Sequence, residues 1–366
     1  MRILFQSRKD LFINLGGDTI QILKTKEELE KLGYEIDINC GTEENLSKYD
    51  LVHIFNLQTI KLTKKQLLNA RKQNKKVVLS TIWWDFQNFG MDTDYVKYSS
   101  VKRKLVSNLL MPFSHFNKHG AYCLMDKILF ELRVRENARY ILKNVDLILP
   151  NSIAELEILI QNFNMPELRA KSNVVVNAVD KDIALTDHEQ GEIDIPKDYI
   201  LCVGRIEPIK GQAKILQALY CEKEIPIVFI GKGIDTDYGQ FVKEIAKRRT
   251  NVYFIPNVQH DKLGIYYKYA RVHVLPSLRE SPGLVSLEAA LYDTNVVISY
   301  QTPVQEYFGN NAFICDPEDI NSIRNSIMKA YNSDINLKLK SYILDRFTWC
   351  KTAIQTDVAY RRVLKI

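Results

Sequence analysis

"VHVLPSLRESPGLVSLEAALYDTNVVISY" (residues 272–300) reads as strand, helix, strand. The apolar run from Val272 closes at Pro276, and a second one starts at Asn295. Between them Ser281 with Pro282 suits a helix cap and first turn, so a helix is expected to begin about there. Two strands joined by a helix pair in parallel, and a parallel sheet is covered on both faces. Working outward, "YILCVGR", "IPIVFIGK", "NVYFIP" and "AFICD" repeat the pattern, each separated from the next by a helical stretch. The first half shows it too, with "RILFQS", "EIDI", "DLVHIFN", "KKVVLSTIW", "DLILPNS" and "NVVVNAV" as strands and helices over 19–32 and 62–72. The expectation is an α/β chain of two doubly wound, Rossmann-like domains, residues 1–182 and 196–349. A polar, acidic stretch at 180–198 joins them, and a C-terminal helix (350–366) packs back on the first domain.

Composition excludes several classes. No stretch approaches 18 consecutive apolar residues, and the apolar N-terminal run is broken at Gln6. Neither a spanning helix nor a signal peptide is expected, and a cytoplasmic protein is. Cys40, Cys123, Cys202, Cys221, Cys315 and Cys350 are scattered, so they read as reduced thiols. The histidines have no zinc spacing. The acid triplets Asp92 to Asp94 and Asp235 to Asp237 read as loop acids, so no metal is expected. "GKGID" lacks the third glycine of a dinucleotide fingerprint, so neither nicotinamide nor flavin is expected as a cofactor.

The polar signals collect where strands end and helices begin. Gly16 and Gly17 precede a helix and would let backbone amides approach an anion. Arg205 and Lys210 flank a proline turn after the first strand of the second half, and two cations there suit a diphosphate. Amides near Gly283 and Leu284 add phosphate donors at the start of a helix. Glu288, about 10 Å along the axis from the expected cap, leans back toward that start. A carboxylate only accepts hydrogen bonds, so Glu288 is a natural clamp for a vicinal diol such as ribose. Glu280, outside the helix, would face the group across the diphosphate. The layout fits a nucleotide sugar.

With these residues in view, the sequence resembles the family 4 glycosyltransferases of the GT-B fold, whose signature is Glu, seven residues, Glu. Glu280 and Glu288 match it. So do "GGDTIQILKTKEELEKLGYEIDI", "DLILPNS", "VGRIEPIKG" and the "FTW" before the last helix. The resemblance implies transfer with retention and without a metal. It also implies that Arg205 and Lys210 bind the donor diphosphate, that Glu288 holds the ribose and that Glu280 contacts the transferred sugar. Glu280 is then a nucleophile, or it supports an oxocarbenium-like centre while the leaving phosphate oxygen deprotonates the acceptor; the resemblance favours the second. Two departures stand out. Where many relatives carry a His near the donor sugar this chain has Trp83 and Trp84, which either contact donor sugar or acceptor or serve as packing, and Asp85 is the nearest candidate for a polar contact there. Pro256 replaces a family glycine near the expected base pocket, where Val258 also lies.

The formal net charge is +6, and residues 101–143 hold nine basic and three acidic residues, a surplus of six. One segment therefore carries the whole imbalance. Val101, Leu105, Val106, Leu109, Leu110 and Phe113 fall on half a helical wheel. Two readings follow: a basic amphipathic helix at an anionic membrane face, meeting a lipid-linked acceptor, or a core-facing helix with a solvated charged face. The expected partners are a nucleotide-sugar donor and a glycan or lipid-linked acceptor. No nucleic acid is expected, since no binding motif accompanies the charge.

Overall fold

The computed structural model describes residues 1–13, 15–83, 134–180, 194–256, 258–300 and 303–366. These residues form two compact units. One gathers the described parts of Met1–Asp85 and Met111–Asn177 with Trp349–Ile366, and the other gathers those of Ala178–Thr348.

The first unit has five parallel strands, β1 (Arg2–Gln6), β2 (Glu35–Ile38), β3 (Leu51–Phe55), β4 (Lys76–Ser80) and β5 (Leu147–Leu149), in the order β2-β1-β3-β4-β5. Its helices are α1 (Gly17–Lys31), α2 (Ile60–Lys72), α3 (134–144) and α4 (Ile153–Phe163). β3 is buried at every position, as a central parallel strand must be. A sixth strand was expected from "NVVVNAV", and it does not form as a ladder. Asn173 and Val175 donate one backbone bond each to Ile148 and Pro150, and only isolated bridges are made. Asn177 instead turns inward to Gln21 (3.2 Å), which itself donates to Asn151 (3.0 Å). The run is apolar enough for a strand, but its polar residue is used to fasten α1.

The second unit continues with β6 (Tyr199–Val203), β7 (Ile227–Ile230), β8 (Val252–Ile255), β9 (Ala270–Leu275), β10 (Asn295–Ser299) and β11 (Phe313–Cys315). They order as β11-β10-β9-β6-β7-β8, all parallel. Its helices are α5 (Gln212–Ala218), α6 (Asp237–Ala246), α7 (Gly264–Tyr269), α8 (Leu284–Leu291), α9 (Val304–Phe308), α10 (Ile320–Asn332) and α11 (Leu337–Leu344). The chain leaves β6 in one direction for β7 and β8, then returns to its other side with β9. The carboxyl ends of β6 and β9 therefore border the switch point, where open sheets of this kind receive ligands.

The last helix, α12 (Trp349–Leu364), belongs to the first unit, packed on α1 and β4. Ala353, Ala359, Tyr360 and Val363 join Ile3, Phe5 and Phe55 in one core. Tyr360 Oη lies 2.6 Å from His53 Nδ1, while His53 Nε2 meets Ser80 Oγ at 2.9 Å and the imidazole stacks on Phe55. Full burial pushes the His53 imidazolium down to about 3, so the ring is neutral and both nitrogens are used.

Several expectations meet the described residues differently. Trp83 is a core residue, 4% exposed and packed against Phe163, rather than part of an open site. Its backbone N–H donates to the buried Glu155 carboxylate (2.8 Å), which also accepts from Thr81 and from the Asn151 amide. Trp84, Asp85, Asp92 to Asp94, Cys123, the joining residues 181–193 and the basic stretch up to residue 133 lie outside the described residues. Within α3, Arg135 and Arg139 donate to the carbonyls of Asn162 and Phe163 at the end of α4. These two charges cap a helix of their own unit. Asp235 to Asp237 flank the start of α6, where Thr236 accepts from the Gly239 amide (3.1 Å).

Candidate active site

β6 ends at Val203, and the chain turns through Gly204 and Arg205 into a short 3-10 turn, Pro208–Lys210. Proline at its first position presets φ, and the Lys210 amide closes the turn on Glu207 (2.9 Å). β9 ends at Leu275 and the loop that follows reaches back, the Leu278 amide donating to Ile209 (2.9 Å). That backbone bond ties the two strand ends together. Lys210 and Glu280, 70 residues apart in sequence, then form a direct ion pair, and both side chains are largely buried. Glu280 also accepts from Ser277 (3.2 Å).

The helix expected from Ser281 begins later. Gly283 sits at φ +80°, outside the helical region, so it is the cap and α8 starts at Leu284. The shift has a packing reason, because a Cβ on Gly283 would lie 2.8 Å from Glu280 Cγ. Glu280 thus lies against the amino end of α8. The helix's own ladder opens with the Leu287 amide bonding Gly283, so the Leu284 and Val285 amides precede it. Glu288 is five residues past the cap, about 7.5 Å along the axis rather than about 10 Å.

Glu288 is buried and already held. Oε1 accepts from His260 Nε2 (2.8 Å) and Oε2 from Tyr267 Oη (3.0 Å). Burial, and then the Glu288 charge, raise the Tyr267 phenol well above its ordinary value, so it remains a donor. Burial likewise pushes the Cys202 thiol on β6 up to about 12, so its sulfur stays protonated.

The remaining expected residues distribute unevenly. Arg205 follows β6 as foreseen, but it is solvent-exposed and pairs with Glu207 (2.9 Å) rather than lining up with Lys210. Pro256 is exposed and Val258 half-buried, just beyond β8 and beside the 3-10 turn His260–Lys262. Gly16 caps α1 in extended backbone and Gly17 opens it, both in the first unit. Arg8 meets Asp18 in that first turn (2.7 Å).

Sequence reasoning missed His260 and Tyr267 altogether. Nothing in their spacing signals a shared carboxylate, since they reach it from different elements. It read "GKG" only as an incomplete dinucleotide fingerprint, whereas its glycines have a steric role. Gly231, at φ +149°, stands so close to the end of β6 that a Cβ there would lie 2.1 Å from the Gly204 carbonyl oxygen.

An ion pair at the switch point, a helix start and a held carboxylate within that helix are what a donor phosphate and sugar would need. Residues 185–343 match the family model for glycosyl transferases group 1. That match lies within the second unit and contains every residue of the cluster just described. Among curated proteins the chain is similar to O-antigen chain mannosyltransferase B of Escherichia coli, 27% identical over 44% of this chain and 45% of that protein. The chain spans less than half the length of that relative, and only about a quarter of the WbdA mannosyltransferases of Escherichia coli that it also matches. Among solved structures it resembles sucrose-phosphate synthase from Thermosynechococcus elongatus, with a TM-score of 0.71 and 16% identity over 100% of this chain and 99% of that one. It also resembles the Anabaena protein HepE in complex with UDP and glucose, with a TM-score of 0.68 and 16% identity over 98% and 99%. At that identity the likeness concerns the fold, two parallel-sheet α/β units of the GT-B type.

Proposed function

We propose that the protein is a retaining glycosyltransferase that moves a sugar from a nucleoside-diphosphate donor to a glycan or lipid-linked acceptor, in assembly of a surface polysaccharide or glycolipid. The observation that carries the reading is the Lys210–Glu280 pair at the β6/β9 switch point, lying against the amino end of α8 with Glu288 inside that helix. The group 1 match over 185–343 and the O-antigen relative support the same reading.

In this mechanism the donor diphosphate lies across the start of α8. Departure of the leaving group builds negative charge, which Lys210, the Leu284 and Val285 amides and a swung-in Arg205 stabilise in place of a metal. Glu288 accepts from the ribose hydroxyls. Glu280 borders the transferred sugar, and its pairing with Lys210 and Ser277 favours a holding role over attack, because a neutralised carboxylate is a poor nucleophile. The leaving phosphate oxygen takes the acceptor proton. The neighbouring loop exposes Phe12, Ile13 and Leu15, an apolar surface suited to a lipid-linked acceptor. The basic stretch before residue 134 would add attraction to an anionic membrane, and among the described residues no helix is long and apolar enough to cross one.

The test is a thermal-shift screen of UDP, GDP and ADP and their sugars without added metal, with Glu288→Ala in parallel. A donor that raises the midpoint of the wild type and hardly that of the variant is expected. If no donor shifts the folded wild type, the protein is a partner subunit or glycan-binding protein of the same fold.

A further inference from the structure

A carboxylate offers about four lone-pair positions, two on each oxygen. In Glu288 one position on each oxygen is already taken, on Oε1 by His260 Nε2 and on Oε2 by Tyr267 Oη. One position therefore remains on each, and that pair matches the two neighbouring hydroxyls of a ribose. The two protein donors differ in kind. Tyr267 is fully buried on α7 and fixes the carboxylate from within. His260 stands on the 3-10 turn after β8, its side chain 42% exposed, and fixes the carboxylate from the solvent side. As a carboxylate Glu288 can only accept, so the bonded Nε2 is the protonated nitrogen of the ring.

With a single donor the carboxylate would be free to rotate, because the torsion that ends a glutamate side chain is broad and has no sharp minimum. Its remaining lone pairs would then no longer aim at two hydroxyls together. We propose that His260 is a positioning residue for the donor nucleotide, and that by locking Glu288 it makes the site select ribose over 2′-deoxyribose. The proposal rests on the reading of Glu288 as the ribose clamp and assigns the selectivity to a residue outside the Glu-x7-Glu signature.

Isothermal titration of the full chain with UDP, GDP and ADP, each beside its 2′-deoxy counterpart, tests it. Wild type should prefer the ribonucleotide that it binds by about ten- to a hundred-fold, the size of one hydrogen bond to a charged group. His260→Ala should weaken the ribonucleotide and leave the deoxynucleotide little changed, cutting the preference to about three-fold or less. His260→Gln keeps an N–H donor near the position of Nε2 and should restore most of it, which loss of folding or of general packing would not allow. A wild-type preference that Glu288→Ala abolishes and His260→Ala leaves intact overturns the role of His260 alone. No preference in the wild type overturns both the clamp and the proposal built on it.

Discussion

At the scale of single residues, the decisive contact is the ion pair. Lys210→Ala leaves Glu280 largely buried without its cation, and it removes a charge placed to stabilise the leaving group. Transfer is expected to slow by about 100- to 1,000-fold, measured as release of nucleoside diphosphate, with the fold retained. Full activity in that variant would remove Lys210 from the reaction. Gly231→Ala acts through the backbone. The added methyl meets the Gly204 carbonyl and the residue must hold φ +149°, so destabilisation by about 1–3 kcal/mol is expected from chemical denaturation. Glu280 and Lys210 could be singled out in the sequence because each sits at a predicted strand end or helix start, and Glu288 because it lies eight residues from Glu280 inside the expected helix. His260 and Tyr267 were not, for a side chain recruited from a neighbouring element leaves no trace in local spacing.

At the scale of elements, β3 and α12 are joined through His53 and Tyr360. Tyr360→Phe removes the hydroxyl from a buried imidazole nitrogen, and a loss of about 1–3 kcal/mol is expected in the urea midpoint of the first unit. His53 and the fully buried His273 on β9 also set a pH dependence. Burial pushes both from an ordinary 6.5 to about 3. The folded state resists the protons that the unfolded state accepts below 6.5. The stability tied to each neutral ring is therefore present above that pH and lost as pH falls toward 3. From pH 7 to pH 5 the cost is about 2 kcal/mol per histidine. Urea denaturation at the two pH values measures it, and equal midpoints would contradict the assignment. The strands themselves were readable from their apolar runs. "NVVVNAV" misled because an apolar run does not reveal that its asparagine is needed elsewhere, and α8 began late because the close approach of Gly283 to Glu280 is a property of packing.

At the scale of the whole molecule, chain order and structural order diverge. Removing α12 by truncation after Thr348 deletes the end of the chain, yet it should unfold the first unit and spare the second. Ala353, Ala359, Tyr360 and Val363 complete the core around Ile3 and Phe5. Hydrogen exchange of the truncated protein reads this directly: lost protection in β1 and β3, kept protection in β6 and β9.

The sequence by itself determined the two doubly wound units, the strand ends where the chemistry collects and the residue types that suit a nucleotide sugar. Those follow from periodicity and from the charge carried by each residue, which are local. Tertiary structure alone decided that Lys210 meets Glu280 while Arg205 turns to Glu207, that Trp83 is core, and that Glu288 is held by a histidine and a tyrosine. Such choices depend on which partners the packed chain brings within hydrogen-bonding distance, and burial makes an unmatched polar group costly enough to enforce them.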